Sequence, residues 1–221
     1  MKNRIFQQPL ASPIVAIASP DDGLLRTADL NAPVPVSISL WTAVEPNFYF
    51  QLTLDGKPAS NKITITAADI TAGSITTFLK EDLLLKEGTY RLGYVASRPN
   101  TEFSTSSLEL TLRVDRTPPG AALLAPMILP GASFGDQLIG LLPGYAGLEE
   151  GDIIQTLCNK THGPLHVVQA DELTLRPIEI TFKREFLESL GTENVTIEYF
   201  VIDRAGNESI ISLPVELFLQ L

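Results

Sequence analysis

Residues Asn194 to Ser209 read NVTIEYFVIDRAGNES, and the fold follows from how this stretch divides into a strand and a turn. Val195, Ile197, Tyr199 and Val201 recur at every second position, the period that sends alternate side chains to one face of a β-strand. The run stops at Asp203-Arg204-Ala205-Gly206-Asn207. There the Asp side chain can bond backbone two residues on, Gly206 supplies a positive φ, and Asn207 tolerates the left-handed region. Alternation then resumes at Leu213, Val215, Leu217 and Leu219. This is a strand, a tight turn and a return strand with one apolar face.

The same figure stands earlier in the chain. Tyr90, Leu92 and Tyr94 alternate, Ser97-Arg98-Pro99-Asn100 forms a turn-rich connector, and Leu108, Leu110, Leu112 and Val114 alternate again. A gapless offset of 105, the distance from Tyr94 to Tyr199, also matches Ser104 with Ser209, Ser107 with Ser212, Leu108 with Leu213 and Leu112 with Leu217. Extended upstream, it sets Asn47 against Asp152 and Leu52 against Leu157, making 48–54 and 153–158 equivalent strands. A repeat of this length implies duplication of one folding unit.

Between the halves lies Asp115-Arg116-Thr117-Pro118-Pro119-Gly120, where paired prolines remove ladder donors and favour an extended, semi-rigid spacer. The expected division is therefore 1–116 and 117–221, with residues 1–10 as an extended N-terminal arm. A chain of 221 residues suits two sandwiches of about 100 each. Helical signal is confined to Ala67-Ala68-Asp69-Ile70 and to 184–190, too short for the crossovers of a parallel sheet. The expectation is an all-β chain of two tandem immunoglobulin-like β-sandwich domains.

Composition narrows function. With 44% hydrophobic and 19% charged residues the chain can bury true cores. A formal charge of −10 and no Lys/Arg run argue against a nucleic-acid partner. The acidity keeps the chain in solution and also suits divalent cations. Cys158, the one cysteine, reads as a small buried hydrophobe. The basic start Met1-Lys2-Asn3-Arg4 breaks at Pro9 before a Sec-type apolar run develops, and no stretch reaches membrane-spanning length.

The string around Tyr199 resembles the penultimate strand and turn of bacterial immunoglobulin-like repeats, with their "Y-x-V-x-D-x-A-G-N-x-S" pattern; Tyr199, Val201, Asp203, Ala205, Gly206, Asn207 and Ser209 all match. Residues 87–94, EGTYRLGY, are similar to the "G-x-Y-x-L-x-Y" that precedes this turn, and Val114 to Pro119 to the interdomain "V-D-x-T-P-P". Residues 22–30 and 145–152 resemble opening segments of repeats in large surface proteins of pseudomonad-like bacteria. The first half departs from the pattern, carrying Ser97-Arg98-Pro99-Asn100 where the Asp-x-Ala-Gly-Asn turn belongs. The resemblance implies stalks, spacers and adhesive arrays at the cell surface or outside it.

Candidate chemistry is sparse. His162 and His166 flank Gly163-Pro164, which rules out a shared helical face, and no third ligand lies near in sequence. Ser133, in Gly131-Ala132-Ser133-Phe134-Gly135, lacks the spacing of a nucleophile elbow and reads as a loop. Residues 135–140 lack the lysine of a phosphate loop. Glu81-Asp82, Glu149-Glu150 and Asp171-Glu172 would point to opposite faces if on strands. Asp115, Asp203 and Asn207 are the candidate oxygen donors for calcium; no other cofactor is expected. Trp41, Phe48, Tyr49 and Phe50 form either a core cluster or a stacking platform, and Trp41 and Tyr145 are the candidate ligand contacts. The glycosylation tripeptides at Asn159, Asn194 and Asn207 are too short a pattern to weigh.

The chain thus reads as a non-catalytic structural or adhesive module, extracellular or surface-exposed. It associates with itself or with a protein partner through loops and strand edges, the apolar run 213–221 serving as a core or docking strand. The alternative is a carbohydrate- or receptor-binding component of a toxin or phage particle. Neither nucleic acid nor membrane insertion is expected.

Overall fold

The structure, a computed structural model, describes residues 9–100, 104–131, 135–174 and 176–219. It is all-β, with two compact units meeting between Arg116 and Thr117. Ser133, read from the sequence as a loop residue, lies outside the described residues.

The first unit holds β1 (Leu24–Leu25), β2 (Val34–Ser39), β3 (Tyr49–Leu54), β4 (Lys57–Pro58), β5 (Ile63–Thr64), the short helix α1 (Ala67–Ala72), β6 (Ser74–Leu79), β7 (Gly88–Ser97), β8 (Ser104–Ser106) and β9 (Leu110–Val114). One sheet pairs β2 with β6, antiparallel; the other runs β1-β9-β7-β3-β4, with β5 on β3 and β8 on β7. Alternation decides which side chains face inward. Val34, Val36 and Ile38 from the first sheet meet Phe50, Leu52, Leu92, Tyr94 and Leu112 from the second in one buried cluster. This is an immunoglobulin-like layout of two apolar-faced sheets. Thr66 caps α1: its hydroxyl accepts from the Asp69 amide while the Asp69 carboxylate accepts from the Thr66 amide.

The second unit holds β10 (Gln137–Leu142), β11 (Ile153–Cys158), β12 (Thr161–Val167), β13 (Ile178–Lys183), the helix α2 (Arg184–Ser189), β14 (Asn194–Ile202) and β15 (Val215–Phe218). Here β10 pairs with β13, and the facing sheet runs β12-β11-β14-β15. Ile154, Cys158, Phe182, Val195, Tyr199 and Leu217 share the core.

The two units repeat one another in detail. Ser107 Oγ accepts from the Tyr94 amide at 3.0 Å and donates to the Leu108 carbonyl at 2.7 Å; Ser212 does the same between Tyr199, 3.0 Å, and Leu213, 3.1 Å. In each unit the serine hydroxyl stands in the ladder where the next backbone carbonyl would be. The following leucine swings outward, leaving Leu108 and Leu213 largely exposed. Strict alternation from 108 and from 213 therefore fails at its first residue and holds from Leu112 and Leu217 onward.

The offset of 105 also needs one correction. Leu52 lies opposite Tyr94, whereas the residue opposite Tyr199 is Thr156, so the equivalence along this strand is 104. A one-residue slip turns every side chain to the other face. Ile154, Thr156 and Cys158 point inward, matching Phe50, Leu52 and Leu54, and Leu157 lies on the other side of the strand, opposite Glu198, though buried there.

Further expectations change. Leu10 is no part of an arm: it pairs with Ser107 and packs on the first core, as Leu124 takes the Leu213 amide in the second unit. Residues 1–8 lie outside the described residues. On either side of the two prolines the chain is bonded within its own unit: the Arg116 guanidinium donates to the Leu84 carbonyl and the Gly120 amide to the Ala146 carbonyl at 2.8 Å. Finally, Glu81-Asp82 and Asp171-Glu172 sit in 3-10 turns, not on strands.

Candidate functional site

Buried and charged groups gather at one end of the second unit, where the loop before β11 meets the turn after β14. The backbone that enters β11 is built as in the first unit. Phe48 N donates to Glu45 O and Ile65 N to Phe48 O; Asp152 N donates to Glu149 O and Val168 N to Asp152 O. Asp152 therefore occupies the position at which the first unit buries Phe48. The carboxylate is fully buried, in a place the fold otherwise fills with a hydrocarbon ring.

Its partners are few. Oδ2 accepts from the Tyr145 hydroxyl at 2.8 Å and from the Glu149 amide at 3.1 Å, while Oδ1 has no hydrogen-bond partner. Burial pushes the Asp152 carboxyl above the usual carboxylate range, and nearby Asp203 and Glu149 push the same way, against the pull of its two donors. Burial, then the Asp152 charge, pushes the Tyr145 phenol upward as well. Tyr145 also packs against the second core, so this candidate ligand contact has its hydroxyl engaged and its ring partly covered.

The Asp-x-Ala-Gly-Asn turn closes on itself. Asp203 Oδ1 accepts from the Asn207 amide and Oδ2 from Asn207 Nδ2, both at 2.8 Å. The Gly206 amide, at φ +88°, donates to the Asp203 carbonyl at 3.0 Å. Ser209 Oγ then accepts from the Val201 amide at 2.9 Å, fixing the return strand. Arg204 lies 3.9 Å from the Glu149 carboxylate. Of the three calcium candidates, Asp203 and Asn207 are brought together as each other's partners. Asp115 belongs to the first unit, where Arg113 holds it at 3.3 Å. Among the described residues no group of three or more His, Cys, Asp or Glu side chains is placed to hold a metal ion.

The remaining candidates separate. His162 and His166 both lie on β12; His166 Nε2 is 2.8 Å from Glu172 Oε2, and that carboxylate also accepts from the Gln169 amide at 2.8 Å. His162 is exposed. Cys158 is buried, which pushes its thiol up to about 12, away from nucleophilic chemistry at neutral pH. In the first unit Trp41 is half-buried and stacks on Tyr94, centroids 6.3 Å apart and rings at 24°. Phe50 meets Tyr94 edge-on at 5.9 Å. Of the aromatic cluster, Phe48 and Phe50 are core, Tyr49 faces outward beneath Lys62, and Trp41 bridges core and surface.

Asp152 is the residue that sequence reasoning passed over. A signal existed, an Asp entering an apolar strand, but the offset of 105 aligned it with Asn47 in a loop and hid that it replaces Phe48.

No protein-family model matches the chain, and no curated protein matches it. Among solved structures it is similar to the fibronectin(III)-like modules of Clostridium thermocellum CbhA, at 15% identity and TM-score 0.42 over 93% of this chain and 94% of that one. It is similar also to the human OSCAR ligand-binding domain, at 14% identity and TM-score 0.39 over 94% and 99%. A third likeness is to a tetra-tandem repeat from the extending region of a large adhesion protein, at 16% identity and TM-score 0.35 over 93% of this chain and 48% of that one. The assignment of fold here rests on the strand pairing itself.

Proposed function

We propose that the chain is a non-catalytic structural or adhesive module of a bacterial surface or extracellular protein, working by the surfaces that two sandwiches present. The supporting observation is what the candidate polar groups do. Asp203 and Asn207 close a turn, Glu172 takes His166 and a turn amide, and the serines at 107 and 212 lock equivalent strand pairs. Each is spent on holding backbone in place. Duplicating a rigid unit spaces and orients surfaces, a task that needs no bond chemistry, and the second unit's apolar strand edges and loops are the parts left to meet a partner or another copy.

Sedimentation and electron microscopy of the purified chain, from no calcium to about millimolar calcium, test assembly. Concentration-dependent oligomers or filaments support self-association; a monomer throughout directs the reading to a different protein partner. Antibody labelling of intact cells tests location, and signal only after permeabilisation would overturn surface exposure. Turnover of any substrate that Asp152→Asn abolishes without unfolding would overturn the non-catalytic reading.

A further inference from the structure

We infer that the outer face of the sheet β12-β11-β14-β15 is a docking surface for a protein partner that presents apolar side chains set among lysines and arginines. The inference rests on the reading of the chain as a binding or assembly module and gives that module a specific face and partner chemistry.

Register places the side chains. Val167, Ile153 and Ile202 lie in one row across three strands, and Leu165, Gln155 and Phe200 in the next. Leu157 follows, between His162 and Glu198. These positions point away from the core, whose inward set on β11 is Ile154, Thr156 and Cys158. Leu165 is 57% and Val167 39% exposed, Ile153, Phe200 and Ile202 are half-buried, and Gln155 and Leu157 between them are buried. A water-facing side of an antiparallel sheet is ordinarily polar, and a contiguous apolar patch there marks a place where something binds.

The first unit supplies the internal comparison. At the matched positions of its sheet, Tyr49 faces Ser97 and Thr53 faces Gly93; in the second unit Ile153 faces Ile202 and Leu157 faces Glu198. The same sheet thus turns outward Tyr49, Ser97, Thr53 and Gly93 in one unit and the more apolar Ile153, Ile202 and Leu157, beside Glu198, in the other. Core packing is not the reason for Ile153, Leu165, Phe200 and Ile202, which do not enter the second core cluster.

Charge selects the partner. Residues 117–221 carry fourteen Asp and Glu against five Lys and Arg, so nine of the chain's ten net negative charges fall in this half. Glu198 lies on the patch face, Glu216 lies opposite Thr196 on the same face, and Glu208 lies opposite Ile202. A second copy would bring the same glutamates against these, and like charges across a contact are costly. A surface with apolar groups and a cationic rim satisfies both features.

The test uses the full chain and three synthetic extended peptides: alternating Leu/Lys, alternating Leu/Glu and alternating Ser/Lys. Amide NMR shifts locate binding and fluorescence anisotropy measures it. The expected result is preferential binding of the Leu/Lys peptide, with shifts centred on Ile153, Leu165, Phe200 and Ile202. The double change Leu165→Ser with Val167→Ser, at exposed positions of β12, should weaken it by about tenfold with the circular dichroism spectrum unchanged. Changing Glu198, Glu208 and Glu216 together to Gln should flatten its salt dependence. Equal binding of the Ser/Lys or the Leu/Glu peptide, shifts centred elsewhere, or no binding overturns the inference. So does a chain dimer that the Leu165→Ser, Val167→Ser variant abolishes, since the face would then meet a second copy. Sedimentation of the same samples reads self-assembly separately, so failure of the peptide leaves the module reading standing.

Discussion

At the scale of single residues, two positions carry costs that the fold accepts. Gly23 has φ +71° and sits so close to β9 that a Cβ there would lie 2.1 Å from the Thr111 carbonyl oxygen. Neither backbone can yield without breaking the parallel pairing of β1 with β9. Gly23→Ala should destabilise the first unit by about 2 kcal/mol or more, read by chemical denaturation. Asp152 is the second. Its carboxyl is shifted upward by burial, so the protonated form is the one the fold favours. The stabilising share of such a group is complete below its unfolded value near 4 and fades as pH rises through its folded value. Wild type should therefore gain stability over Asp152→Asn as pH is lowered from 8 toward 4. Thermal melts of both proteins across that range check the sign, and a difference that does not change with pH would refute it.

At the scale of elements, β15 is the piece whose role the sequence left between core and docking strand. It pairs with β14 over Asn194–Ile197, and Leu217 and Leu219 are buried in the second core while Phe218 is exposed. It is a core strand. Removing residues 213–221 takes away two buried leucines, about 2–3 kcal/mol each, together with the β14 ladder. Against a domain stability of about 5–15 kcal/mol, that is enough to abolish the cooperative unfolding of the second unit, as circular dichroism melts would record. Element equivalence also relates a 3-10 turn of the first unit to α2 of the second. Lys80 precedes a 3-10 turn that buries Leu84, and Lys183 precedes α2, which buries Leu187; both follow matched strands, β6 and β13, and seat one leucine beneath the sheet pair.

At the scale of the whole molecule, two separate cores lead us to propose that residues 1–116 and 117–221 unfold as independent units. Differential scanning calorimetry should then resolve two transitions, with Gly23→Ala lowering one and Asp152→Asn moving the other. A single transition shifted by both substitutions would contradict independence. The all-β layout was legible in the chain because period-two alternation is a local property: Val195 to Val201 and Tyr90 to Tyr94 declare a buried face without reference to any neighbour. The duplicated serines were legible as an offset, though not as ladder locks. What the sequence could not fix is which residue stands opposite which across strands far apart in the chain. A slip of one between the offsets 105 and 104 turns Leu157 to the outer side of the sheet and Asp152 from loop to core. Only the tertiary pairing of β11 with β14 resolves it, because register is set by hydrogen bonds and packing between segments that sequence order keeps some forty residues apart.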